Sequence, residues 1–101
     1  MRTTTSVRGV PIRLSDERWG HICEEHAEVK SLLDDVLLAV CLPKSVHVGA
    51  NGELLAATEM EPGKYLIVAY KESENGTDGF IITAFLTRRI RSIERRMRIW
   101  P

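Results

Sequence analysis

The sequence predicts an α+β domain in which two N-terminal helices pack on one face of a four- or five-stranded antiparallel sheet. Three observations predict it. Two apolar stripes at helical spacing precede Pro43, alternation broken by turn pairs follows it as far as Thr87, and 101 residues supply one core rather than two. The whole chain, 1–101, is therefore read as a single domain, with residues 1–8 as a flexible tail because Met1 to Ser6 is short, polar and threonine-rich.

Leu14-Ser15-Asp16-Glu17 reads as a helix start, since the Ser15 hydroxyl can accept from free amides and the two acids suit the positive end of the dipole. Trp19, Ile22, Cys23 and His26 then recur at helical spacing as a core-facing stripe. A second helix is expected from about Ser31 to Cys41, burying Leu33, Val36, Leu37 and Val40, and Pro43 stops it. Beyond it, Ser45 to Val48 alternates as a strand. Asn51-Gly52 supplies a hairpin turn, and Glu53 to Met60 returns as the next strand. After the turn at Glu61 to Lys64, Tyr65 to Lys71 forms a third strand. Phe80 to Thr87, apolar on both faces at its start, is expected to be a central, buried fourth. Arg88 to Pro101 is ambiguous, because Ile90, Ile93, Met97 and Trp100 sit at helical spacing while Met97 to Trp100 also alternates as an edge strand.

Fourteen basic residues balance fourteen acidic ones, which excludes a uniformly cationic binder, but the charge is segregated. Residues 16–35 sum to −5 (seven acids, two bases) and residues 86–101 to +5 (six arginines, one acid). The two segments either fold against each other and cancel, or leave a cationic face that attracts phosphate. No apolar run approaches the ~20 residues of a membrane span, so no membrane partner is expected. Cys23 and Cys41, too few for a disulfide framework, point to a cytoplasmic protein.

Three features could carry chemistry. His21 and His26 lie about 140° apart around a helix, so His26 points toward the sheet while His21 stands on the flank with Glu25 one turn later. The alternative is one core histidine bonded to a carbonyl and one on the surface. A zinc site gathered from His21, Cys23, His26, Cys41 and His47 lacks ligand spacing, so no metal and no cofactor are expected. Lys71 closes a strand beside Tyr70, and Thr83 precedes Thr87 and the arginines Arg88, Arg89 and Arg91, offering hydroxyls and guanidinium forks to a phosphodiester.

The string from Leu14 to Ile22, with Glu17-Arg18-Trp19 and His21-Ile22, followed by His26-Ala27-Glu28, resembles the opening of small phage- and plasmid-associated domains. These are grouped with barnase, EndoU, colicin and RelE-like ribonucleases. Tyr65 to Lys71, Gly79 to Thr87 and the terminal Ile99-Trp100 are similar to that family's later segments, so the resemblance spans residues 12–100. Ala27 stands where the family has proline, and Phe85 where it has tyrosine. The resemblance implies a RelE/barnase-like fold and a toxin-type, metal-independent endoribonuclease held in check by an antitoxin or immunity protein. Such cleavage uses the ribose 2′-hydroxyl as nucleophile and needs a base, an acid and cations. His21 and His26 would be base and acid, Lys71 and Arg88 would neutralise the phosphate, and Thr83 would bond a non-bridging oxygen. Arg89, Arg91 and the Tyr70 ring would bind the RNA. The other reading keeps the fold as a non-catalytic protein- or RNA-binding module.

Overall fold

Alternation at Val10, Ile12 and Leu14 starts a strand that the helix-first expectation overlooked. In the computed structural model, which describes residues 1–101, all three side chains are buried. The elements run β1 (Arg2–Thr5), β2 (Pro11–Leu14), α1 (Asp16–Glu25), a 3₁₀ turn (Ala27–Val29), α2 (Leu33–Cys41), β3 (Ser45–Val48), β4 (Leu54–Glu61), β5 (Lys64–Glu72), β6 (Gly79–Thr87), α3 (Arg91–Glu94) and β7 (Arg98–Trp100). The seven strands form one sheet in the order β1-β2-β6-β5-β4-β3-β7.

This corrects the expected architecture. The sheet is mixed and seven-stranded rather than antiparallel with four or five strands, because β2 runs parallel to β6 through Ile12↔Gly79 and Arg13↔Phe80. The expected tail is also wrong. Arg2–Thr5 pairs antiparallel with Pro11–Leu14 as an edge strand, suiting its β-branched threonines, and the Thr4 hydroxyl donates to the Leu37 carbonyl at 2.9 Å. Gly9, at φ 81°, takes the left-handed conformation the intervening turn needs. Arg88 to Pro101 divides: Arg91–Glu94 is a single helical turn, and Arg98–Trp100 pairs with β3.

The Ser15 side chain caps α1 as expected, accepting from the Arg18 amide at 3.0 Å. The stripe on α1 is thinner than its spacing implied, since Ile22 is its one buried residue and His26 has become the C-cap. The central buried strand is β5 rather than β6. Tyr65 through Tyr70 are all buried, whereas Phe80 on β6 is 45% exposed.

Residues of β5 alternate between two cores. Leu66, Val68 and Tyr70 join Ile12, Leu14, Ile22, Val36 and Val40 beneath α1 and α2. Tyr65, Ile67 and Ala69 face the other way and meet Leu55, Ala57 and Ile93 beneath the short α3 segment. Each buried aliphatic is worth about 1.5–3 kcal/mol, so the helix-covered face contributes most of the stability.

Gly79 lies where β2, β5 and β6 crowd together. A Cβ there would stand 2.7 Å from Ile12 Cδ1 and collide with the Lys71 carbonyl. Gly79→Ala is expected to destabilise by about 1–3 kcal/mol, lowering the melting temperature by about 4–8 °C per kcal/mol. Thermal unfolding followed by circular dichroism checks this, and an unchanged midpoint refutes the close approach.

Candidate functional site

Register sorts the expected residues by face. On the face opposite α1 and α2, Thr83 opposes Ala69, Phe85 opposes Ile67 and Thr87 opposes Tyr65, while Lys71 opposes Phe80. Lys71 and Thr83 thus stand diagonally across the β5–β6 ladder on one surface. Tyr70 does not join them. Its side chain is fully buried on the helix side, so it offers no surface to a base, and this removes it from the expected RNA-binding set.

The cations do not converge either. Lys71 lies at the Phe80 end of the ladder and Arg88 just past Thr87 at the Tyr65 end, six residues along β5. That is about 20 Å at ~3.3 Å per residue, so one phosphate cannot bridge the two.

His26 fares better than His21. By ending α1 at the outer edge of β6, it sets its ring 5.7 Å from the Phe85 ring, tilted by 36°. Its Nδ1 lies 3.6 Å from a Glu28 carboxylate oxygen, and the side chain is one-third exposed, so solvent reaches it. His21 is exposed on α1 with its Nε2 3.8 Å from Glu17 rather than beside the expected Glu25, and it contacts none of the other candidates.

At the same end of β6, Arg88 pairs with Glu61 at 3.4 Å and Lys64 pairs with Glu61 at 3.8 Å. Glu28, Glu61, Lys64 and Leu86 share a cavity of about 250 Å³. The Thr87 hydroxyl accepts from the Arg89 amide at 3.0 Å, which turns the chain toward α3 and carries Arg91 into solvent. Thus His26, Arg88 and Arg89 belong to one end of β6 and Lys71 to the other, with Thr83 between them.

The charged segments do not cancel. No ion pair or hydrogen bond joins residues 16–35 to residues 86–101, and of the six arginines only Arg88 has a carboxylate partner. All six are exposed, leaving a cationic rim on the face that α3 covers.

Glu28, Lys64, Tyr65 and Lys44 were missed by sequence reasoning. Tyr65 accepts a hydrogen bond from Lys44 Nζ at 3.3 Å, so its own proton remains free to donate. That bond, with Glu59 3.5 Å away, holds the Lys44 ammonium above its ordinary pKa, while the Gly63 amide and then Lys44 hold the Glu59 carboxylate below its own. His47 lines the same 110 Å³ cavity but is buried, its nitrogens bonded to Ser45 Oγ and the Arg96 carbonyl at 3.0 and 3.1 Å, which suits a structural role. Only the His26-Ala27-Glu28 spacing carried a signal, in that a single residue separates the imidazole from its carboxylate.

No family model, curated sequence or solved structure matches the chain. No helix is long and apolar enough to cross a membrane.

The Tyr70 hydroxyl is buried without a hydrogen-bond partner, and burial, reinforced by Glu72, pushes its pKa up to about 12. The unfolded phenol ionises near pH 10, so the stability linked to this group is whole below pH 10 and is lost as pH rises toward about 12. Tyr70→Phe is expected to leave neutral-pH stability equal or higher, and to flatten the loss between about pH 10 and 12. Urea unfolding across that range measures it, and a variant destabilised at pH 7 by more than about 1 kcal/mol contradicts it.

Proposed function

We propose that the protein binds single-stranded RNA across the face carrying β6 and cleaves it without a metal, using His26 as general base. The observation that carries this reading is the His26 ring beside Phe85, with Glu28 behind it, at the end of β6 that continues into Arg88 and Arg89. The sequence resemblance to RelE- and barnase-like ribonucleases supports it independently.

In this reading the Glu28 carboxylate favours the proton on Nδ1 and leaves the Nε2 lone pair to accept the 2′-hydroxyl proton. The 2′-oxygen attacks the adjacent phosphorus, the bond to the 5′-oxygen breaks and that oxygen takes a proton from solvent water, and a 2′,3′-cyclic phosphate remains. Arg88 and Arg89 offset the charge on the phosphorane, and Thr83 and Thr87, two residues to either side of Phe85 on the same face, supply hydroxyls for a non-bridging oxygen. His21 and Lys71 lie outside this centre. A neutralising partner would be an acidic segment laid over the unpaired arginines, a toxin–antitoxin arrangement.

A second reading, a non-catalytic RNA- or protein-binding module, is favoured by one observation: the carboxylate paired with His26, that of Glu28, stands at 3.6 Å, beyond hydrogen-bond distance, and no second acid pairs with the imidazole. Incubation with a long RNA in EDTA separates the two. The enzyme is expected to cleave, His26→Ala to lose about 10²–10⁴-fold in rate, Glu28→Gln to lose less, and His21→Ala to retain activity. Binding without cleavage by the unmutated protein leaves only the module.

A further inference from the structure

Phe80 is the one aromatic side chain that the fold leaves open, although its strand lies inside the sheet between β2 and β5. Its cross-strand neighbours are both cations, Arg13 on β2 and Lys71 on β5. An apolar ring between two interior strands is ordinarily covered by other apolar groups. Here a cavity opens on each side of it instead. One, of about 260 Å³, adds Arg18 to Arg13 and Phe80, and the other, of about 270 Å³, adds Lys71.

The charges differ in how they are committed. Arg13 is held by Asp78 at 3.1 Å, which fixes it alongside the ring. Lys71 and Arg18 have no carboxylate within 4.0 Å and are exposed. Glu72, the acid nearest Lys71 in the chain, is turned to the opposite face, where it accepts from the Ser6 hydroxyl at 2.6 Å and pairs with Arg8 at 3.5 Å. Three acids line the second cavity, and two of them are already engaged, Glu72 by Ser6 and Arg8 and Asp78 by Arg13, which leaves Glu74 as the one unpaired carboxylate there. An open π-face with an uncommitted cation on either side matches a ligand that alternates flat aromatic groups with negative charges.

We infer that Phe80 is a stacking platform for a base of single-stranded RNA, with Lys71 and Arg18 receiving the flanking phosphates. The inference rests on the reading of RNA as the ligand, and it adds a subsite at the end of β6 away from His26, about 16 Å from Phe85 at ~3.3 Å per residue. The chain would then hold its substrate several nucleotides from the bond it breaks.

Fluorescence anisotropy with a labelled 2′-O-methyl oligonucleotide of ~12 nucleotides tests this, because that RNA lacks the nucleophile and cannot be cleaved. Phe80→Leu, which keeps apolar bulk and removes the ring, is expected to weaken binding at least about fivefold, whereas Phe80→Trp retains it. Lys71→Met is expected to make the salt dependence shallower by about 0.7 in slope, and Leu38→Ser on α2 to bind as the unmutated protein does. A blunt duplex, whose bases are already stacked, is expected to bind more weakly than the single strand. Equal affinity of Phe80→Leu and the unmutated protein, or of duplex and single strand, overturns the platform. Ring-dependent binding with no cleavage of unmodified RNA overturns the nuclease reading alone, and no binding of any RNA overturns both.

Discussion

Both faces of the molecule depend on the burial of β5. Tyr65 through Tyr70 are enclosed, so successive side chains enter different cores and neither core can move relative to the other without shifting this strand. Because the side-chain period is two, a slip of one residue against β4 or β6 would drive Lys71 toward the helix-covered core and expose Tyr70. The register Ala69↔Thr83 and Ile67↔Phe85 is thereby enforced by burial. What lies on the face opposite α1 and α2 is a by-product of keeping Leu66, Val68 and Tyr70 under the helices.

That partition also explains why the opposite charges stay apart. The acids of α1 and α2 and the arginines after β6 belong to different layers, and an exposed ion pair gains only about 0–1 kcal/mol. Folding therefore has little drive to bend the arginine segment toward the acidic helices, whereas Ile90 and Ile93 have apolar surface to bury against Leu55 and Tyr65. Those two isoleucines pin the segment and leave the guanidinium groups in solvent. The neutral total charge conceals this because it says nothing about which layer a residue joins.

Elements whose sequence carries its own signal were legible. Ser15 followed by acids marked the start of α1, Pro43 the end of α2, and Asn51-Gly52 the turn before β4, where Gly52 adopts φ 82°. The missed elements depend on long-range pairing. Arg2–Thr5 has no apolar face because it is an edge strand held by backbone bonds and one threonine, and apolar periodicity cannot register it. Ile12 and Leu14 did alternate, but a four-residue strand beside a strong helix cap reads as its leader. The parallel pairing of β2 with β6 joins residues more than sixty positions apart, which no local pattern encodes. The same reason scattered the expected site: Lys71 and Arg88 each close a strand, but antiparallel neighbours close at opposite ends.

This last geometry bears on how the β6 face can act. A compact site for one phosphate would need its cations within a few ångströms, since a guanidinium or ammonium stabilises a phosphorane through direct contact. Here the imidazole and Arg88 occupy one end of β6, and Lys71 with the Phe80 ring the other, with the Thr83 hydroxyl between. Groups spaced along a strand address a ligand that is itself extended, and a single-stranded polymer presents repeating charges and rings in that form. A phenyl at Phe85, where the family it resembles carries a tyrosine, is compatible with the proposed function on the same grounds. The His26 ring still rests on the phenyl, which positions the imidazole at the strand edge, while substrate orientation can come from contacts further along the chain. If the proposed RNA reading holds, chemistry and grip are separable in such an arrangement, and the residues most exposed to solvent, rather than those closest together, would determine which nucleic acid is held.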